Sequence, residues 1–210
     1  YYGVGIHYAN DNVLMNNTFS NCSYGVWLAY SERNVLLRNR AFNNTHVGFH
    51  LRPSSHNVLR GNEAWNNEYG IYVYFSENNT LLENTVFNSS FGIWFSGVVK
   101  NTVCRNEAHN NTYGMRTTAS INNSITGNFF KGNAFGILVR DNSSNNLVFH
   151  NNFLNNTSQV QSLNSMNFFD NGVEGNYWSE YDGFDNNSDG IGDEPYLIEE
   201  NNTDQYPLMG

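Results

Sequence analysis

A chain of 210 residues suffices for one ordinary domain or one repeat array, and its formal net charge of −9 argues against a nucleic-acid partner, which would need a basic stripe. Charged residues are only 14% and 40 residues are Asn, yet the 15 Phe, 13 Tyr and 4 Trp exclude an unfolded low-complexity chain. No apolar run approaches the roughly 18 residues of a membrane span and no signal peptide opens the chain, so the expectation is a soluble segment, mature or excised since Tyr1 stands first.

From the start of the chain an aromatic or apolar residue followed by Gly recurs, at Tyr2-Gly3, Tyr24-Gly25, Val47-Gly48, Tyr69-Gly70, Phe91-Gly92, Tyr113-Gly114 and Phe135-Gly136, with glycine spacings of 22, 23, 22, 22, 22 and 22. Such a period predicts a solenoid. One and three residues after each Gly stand apolar pairs such as Val26/Leu28, Ile71/Val73 and Ile93/Phe95, the period-two alternation of a strand with one buried face. A second apolar row falls eleven after the Gly (Leu14, Leu36, Leu59, Leu81, Val103, Ile125) and a looser third row sixteen after (Phe19, Ala41, Ala64, Val86, Ala108, Phe130). Three short strands per coil predict an all-β, three-sided, right-handed parallel β-helix of seven to eight coils over residues 1–178, a rod about 35 Å long.

Asn marks the corners: Asn12, Asn34, Asn57, Asn79, Asn101 and Asn123 nine after the Gly, Asn17, Asn39, Asn62, Asn84, Asn106 and Asn128 fourteen after, and Asn21, Asn43, Asn66, Asn88 and Asn110 eighteen after. Each column is expected to form an amide ladder, since Asn tolerates left-handed backbone and can hydrogen-bond the same amide one coil away. The seventh copy carries an extra residue at Asn145-Asn146, and the eighth coil, roughly 156–178, has lost its Gly. Residues 179–210, rich in Tyr, Gly and Asp, read as a cap on one end, whereas further coils or another subunit are expected to cover the other.

Chemistry would sit on outward positions. Two after the Gly lie Gly5, Trp27, His50, Tyr72, Trp94, Arg116 and Leu138, and four after lie His7, Ala29, Arg52, Tyr74, Ser96, Thr118 and Arg140. Stacked along the rod, Trp27, His50, Tyr72, Tyr74 and Trp94 with Arg52, Arg116 and Arg140 predict an exposed aromatic face suited to a glycan chain or a partner protein. Neither row holds an Asp or Glu, so the paired carboxylates of a sugar hydrolase are missing there. Copper would need His, Met or Cys within mutual reach; His7 and His50 are two coils apart, His46, His50 and His56 share one coil, and His109 and His150 stand alone. Cys22 and Cys104 occupy different repeat positions and are expected to be free thiols. In the cap, Asp185, Asn187, Asp189 and Asp193, with Gly190 at position six and the Ile191 carbonyl at seven, have the spacing of a calcium loop, although position twelve is Tyr196 instead of Glu. A structural Ca2+ pinning the cap is the expected cofactor. Eleven Asn-x-Ser/Thr triplets begin at Asn16, Asn21, Asn43, Asn78, Asn88, Asn110, Asn122, Asn142, Asn155, Asn186 and Asn201, and glycosylation at any of them would require export.

The run Tyr69-Gly70-Ile71-Tyr72-Val73 with Asn78-Asn79-Thr80 and Asn84-Thr85, and the ending Gly175-Asn176-Tyr177-Trp178-Ser179-Glu180-Tyr181 through Asp189-Gly190-Ile191-Gly192-Asp193-Glu194-Pro195-Tyr196 to Tyr206-Pro207-Leu208-Met209, resemble the NosD-like β-helix proteins, a class grouped with carbohydrate-binding and sugar-hydrolase repeats and abundant on archaeal surfaces. The resemblance spans the whole chain. It implies the β-helix and an extracellular or cell-surface location, and its founding member is a periplasmic accessory of copper-enzyme maturation. The expected function is a non-catalytic surface module that binds polysaccharide or a neighbouring surface protein through the aromatic stripe. The alternatives are a polysaccharide lyase or hydrolase fragment, a copper-maturation accessory, and a filament or surface-layer building block.

Overall fold

Apolar side chains on alternate positions can all face inward only if the chain turns a corner after each short strand, and Asn or Gly at those corners permits the turn. A computed structural model, which describes residues 1–199 and 202–210, has this form in the first seven coils, and the eighth lacks the second strand. In the fourth coil the strands are Tyr69–Tyr74, Thr80–Leu82 and Thr85–Phe87. Each strand pairs in parallel with its counterpart one coil before and after, giving sheets of eight, seven and eight strands. The register is strict: Tyr72 lies opposite His50 on one side and Trp94 on the other. The fold is the right-handed, three-sided parallel β-helix.

The interior is a stack of apolar rows. Ile71 and Val73 from the first strand, Leu81 from the second and Val86 from the third are all 0% exposed, as are most of their equivalents in the middle coils. At about 1.5–3 kcal/mol per fully buried aliphatic side chain, these rows are the main stabilising term. The recurrent Gly follows from the same packing. A Cβ on Gly25 would stand 2.6 Å from the carbonyl oxygen of Gly48 in the next coil and 3.1 Å from the Ala41 Cβ. In the eighth coil Gln159 occupies this position, because the cap and not another first-sheet strand follows it.

The corners are held by amide columns. At the first corner the Asn12 side chain donates to Asn34 Oδ1 at 2.9 Å, and the column continues through Asn57, Asn79, Asn101, Asn123, Asn146 and Asn167. At the second corner it runs from Asn17 through Asn39, Asn62, Asn84, Asn106, Asn128 and Asn151 to Asn176. At the third corner the expectation requires correction by one residue. Asn21, Asn43, Asn66, Asn88 and Asn110 take the left-handed backbone, with φ between 51° and 57°, and project outward. The ladder is formed one residue further on, by Asn44, Asn67, Ser89, Asn111, Asn133 and Asn156, while in the expected column Asn66 donates to Asn43 at 3.1 Å. A residue that must turn the chain and one that must bridge two coils are neighbours, because a single Asn cannot point both outward and into the corner. A fourth column, unread in the sequence, lies six after the Gly, where the hydroxyls of Ser31, Ser54, Ser76 and Ser120, and of Ser143 seven after in the coil with the extra residue, accept from backbone amides one coil away.

The last strand of the third sheet is Tyr177–Trp178, and the segment after it covers the end of the core. Trp178, 1% exposed, is sandwiched between Phe153 at 4.5 Å and Tyr196 at 4.2 Å. An antiparallel hairpin of Tyr196–Glu199 and Asn202–Asp204 supplies the groups that close the columns. Asn202 Oδ1 accepts from the Asn167 amide, and Asp204 Oδ2 accepts from the Asn176 amide at 2.7 Å and from Trp178 Nε1 at 2.9 Å. The third column ends on Gln159, whose amide donates to Ser179 and Glu180. Burial pushes the Asp204 carboxyl up to about 6, against the opposing pull of its hydrogen bonds from Asn176, Trp178 and Tyr206.

Candidate functional site on the outer face of the first sheet

Strict register turns a coil-to-coil repeat into columns, so outward residues of the first strands meet their equivalents at strand spacing. Down the row two after the Gly, Trp27 and His50 have ring centroids 6.0 Å apart, His50 and Tyr72 4.8 Å, and Tyr72 and Trp94 4.8 Å, with interplanar angles of 11°, 6° and 16°. Arg116 continues the row with its guanidinium 5.0 Å from the Trp94 ring centre, a cation on an aromatic face. Leu138 ends it, buried. Beside it runs a second column, the residue before each Gly: Tyr69, Phe91, Tyr113 and Phe135 stack at 5.0, 5.0 and 5.2 Å.

The stacking changes what the face offers. Flat rings exposed to solvent were expected, but the rings cover one another along the rod axis and present their edges outward; Trp27, Tyr72 and Trp94 are half-buried. His50 is only 6% exposed, and neither of its ring nitrogens has a hydrogen-bond partner. Burial first, and the nearby Arg52 charge second, lower its pKa to about 4, so the imidazole is neutral near pH 7. Tyr74 packs edge-on against Phe75 and carries the exposed Arg52 5.4 Å from its ring centre. Among the described residues no carboxylate lies in ion-pair range of Arg52 or Arg116, whereas Arg140 pairs with Asp141 at 3.0 Å. The eight stripe residues thus share one sheet face, with Arg140 neutralised at its far end.

The histidines do not gather. His46 stands 3.7 Å from Glu68, His109 stacks on Phe87, and His150 Nε2 lies 2.5 Å from Glu174 Oε2. Among the described residues no three His, Cys, Asp or Glu side chains converge where an ion could sit. Cys22 and Cys104 are free. In the cap loop the Asp185 carboxylate accepts from the amides of Asp189 and Gly190, Asp189 from the Ile191 amide, Asn187 from the Asp189 amide, and Asp193 from Asn186. This is a set of side-chain-to-backbone turns of the kind Asp and Asn favour. Of the sequon asparagines, Asn16, Asn21, Asn43, Asn78, Asn88, Asn110, Asn122, Asn142, Asn155 and Asn186 are all exposed, and Asn201 lies outside the described residues.

Sequence reasoning missed a third aromatic column. Phe42, Trp65, Phe87 and His109 stack at 4.4, 5.5 and 5.0 Å on the outer face of the third sheet. The signal was available, since all four stand one residue after the third apolar row.

Comparison with known proteins follows the architecture. The structure of the periplasmic alginate epimerase AlgG superposes with a TM-score of 0.67 at 23% identity, over 74% of this chain and 38% of that one. The A-module of the mannuronan C-5 epimerase AlgE6 of Azotobacter vinelandii gives 0.61 at 15% identity, over 80% of this chain and 53% of the other. At these identities the likeness is one of fold, and the chain spans well under two thirds of either. No curated protein sequence matches. The family described as periplasmic copper-binding protein (NosD) matches residues 1–183. By that match and by its coil architecture, the chain belongs to the NosD family of right-handed β-helix repeat proteins.

Proposed function

We propose that this chain is a glycan-binding β-helix module acting outside the cytoplasm, and that a polysaccharide lies along the outer face of the first sheet. The observation that carries this reading is the pairing of continuous ring columns with two cations, Arg52 and Arg116, that no carboxylate among the described residues neutralises. Ring edges and guanidinium groups offer hydrogen bonds and apolar contact to a sugar chain laid parallel to the rod. The alginate epimerases that share the fold act on a polysaccharide, and AlgG is periplasmic, as is the protein for which the family is described. The outward rows lack carboxylates, which favours binding over hydrolysis.

The test is affinity electrophoresis of the chain against neutral and acidic polysaccharides, with product analysis on the same samples. Retardation, lost in an Arg52→Ala/Arg116→Ala double variant and without new reducing ends or unsaturated products, is the expected result. Cleavage or epimerisation would replace the binding reading with an enzymatic one, and no retardation by any polymer would end the glycan reading.

A further inference from the structure

The column before the glycines has one gap, and the gap defines a site. Rings follow one another about every 5 Å from Tyr69 to Phe135, and Tyr2 and Tyr24 stand 5.4 Å apart, but between Tyr24 and Tyr69 the position is Val47. Two strand spacings, about 10 Å, therefore separate the Tyr24 and Tyr69 coils with no ring of this column between them; from the intervening coil the His46 and His50 rings each come to 5.8 Å from the Tyr24 ring centre. A hollow of about 340 Å³ opens there, bordered by these two tyrosines, Val47, His46, Glu68 and the ring of His50, and reaching Tyr72 and Trp94. That volume lies at the small end of ligand pockets, which run from about 300 to 1,000 Å³.

The polar groups of the hollow are unusual for a gap in a stack. His50 is 94% buried by its 6% exposure, and both ring nitrogens lack partners. A neutral imidazole offers one donor and one acceptor, the complement of a hydroxyl group, which both accepts and donates. Burial and the adjacent Glu68 carboxylate hold the Tyr69 hydroxyl protonated, with a pKa near 12. Glu68 and His46 face each other at 3.7 Å on the border.

We infer that the gap at Val47 is a clamp for a single pyranose ring, held between Tyr24 and Tyr69 with a hydroxyl-bearing edge on His50. The inference rests on the glycan-binding reading and narrows it to one subsite. A sugar ring takes the place of the missing aromatic ring, its C–H faces against the two tyrosines and its hydroxyls on His50 and Glu68. A purely aromatic occupant would leave the buried His50 nitrogens unpaired, which a hydroxyl-bearing ring does not. Glu68 selects against a carboxylate on the inserted edge, so the bound residue is neutral there.

The test compares the wild-type chain with Val47→Tyr, which restores the ring column, and His50→Phe, which keeps the stack and removes both nitrogens. Probes are β-linked glucose and mannose oligosaccharides and oligomannuronate, followed by NMR shift perturbation, with thermal melting to confirm that each variant folds. The expected result is neutral-oligosaccharide binding that shifts the His50 ring resonances, and that falls at least tenfold in both variants. Neutral-sugar binding unchanged in Val47→Tyr overturns the clamp. Binding of oligomannuronate alone, unchanged in Val47→Tyr and lost with Arg52 and Arg116, overturns the clamp but preserves the glycan-binding face. No binding of any probe to the folded wild type overturns both.

Discussion

The corners and the outer face of the first sheet obey the same period but use it differently. At the corners the repeat is kept almost letter for letter, Asn above Asn through eight coils. On the outer face each coil changes the residue: Trp27, His50, Tyr72, Trp94, Arg116, Leu138. A buried amide must find the same partner one coil away, so drift is penalised; a half-exposed ring needs only something flat beside it. Recognition chemistry is therefore to be sought where the period is relaxed.

The widest separation between the two regions is expected from single truncations. Asn84→Ala leaves the Asn62 amide and side chain and the Leu59 carbonyl without their 2.9 Å partners in the interior. At about 1–3 kcal/mol per buried unpaired group, it should destabilise by about 3–5 kcal/mol in urea unfolding. Tyr72→Ala, which strips a half-buried ring from the stack, should cost about half as much or less. Equal losses would erase the distinction between the two regions.

Acid unfolding sharpens it next. His50 is held near 4 from an ordinary 6.5, so its contribution to stability is present above pH 6.5 and is lost as the pH falls towards 4, because the unfolded chain takes up the proton first. Asp204 is raised to about 6 from 3.8, so the folded chain takes up the proton first and its contribution grows as the pH falls from 6 to 4. Each effect amounts to about 3 kcal/mol, at 1.36 kcal/mol per pK unit, and the two oppose each other. His50→Phe should make the denaturant midpoint rise on acidification relative to wild type, and Asp204→Asn should make it fall. Parallel pH profiles for wild type and both variants would contradict the assigned burial of these groups.

The smallest effect concerns the cap loop. If Asp185, Asn187, Asp189, the Ile191 carbonyl and Asp193 take a structural calcium ion, millimolar Ca2+ should raise the melting temperature by a few degrees through preferential binding to the folded chain, and Asp185→Ala should remove the rise. An unchanged melting curve would leave the loop as a set of side-chain-to-backbone turns.

Much of this architecture could be read from the letters alone. The Gly period gave the coils, and the rows through Leu81 and Val86 gave the other two walls, because a repeat of fixed length allows only one register. The third ladder was misplaced by one residue since Asn43 and Asn44 are the same letter, and only backbone geometry tells the left-handed residue from the bridging one. The serine column was hidden because Val98 interrupts it. On the outer face the residues were identifiable but their attitude was not: whether Tyr72 shows its face or its edge depends on the rings above and below. Val47 drew no notice as a candidate, because a gap is visible only against a column already recognised.

The amide columns also have a direction. From Asn17 to Asn151 at the second corner, each side-chain nitrogen donates to the Asn oxygen of the coil after, so those oxygens face the coil before them. The aligned dipoles leave donors at the leading face of any coil, which is where the Asp204 carboxylate is placed to receive them. The two faces of any coil therefore differ in kind, acceptors on one and donors on the other, and a coil can be continued only by one that offers the opposite set. Two like faces brought together would oppose donor to donor, so the columns give the solenoid a polarity.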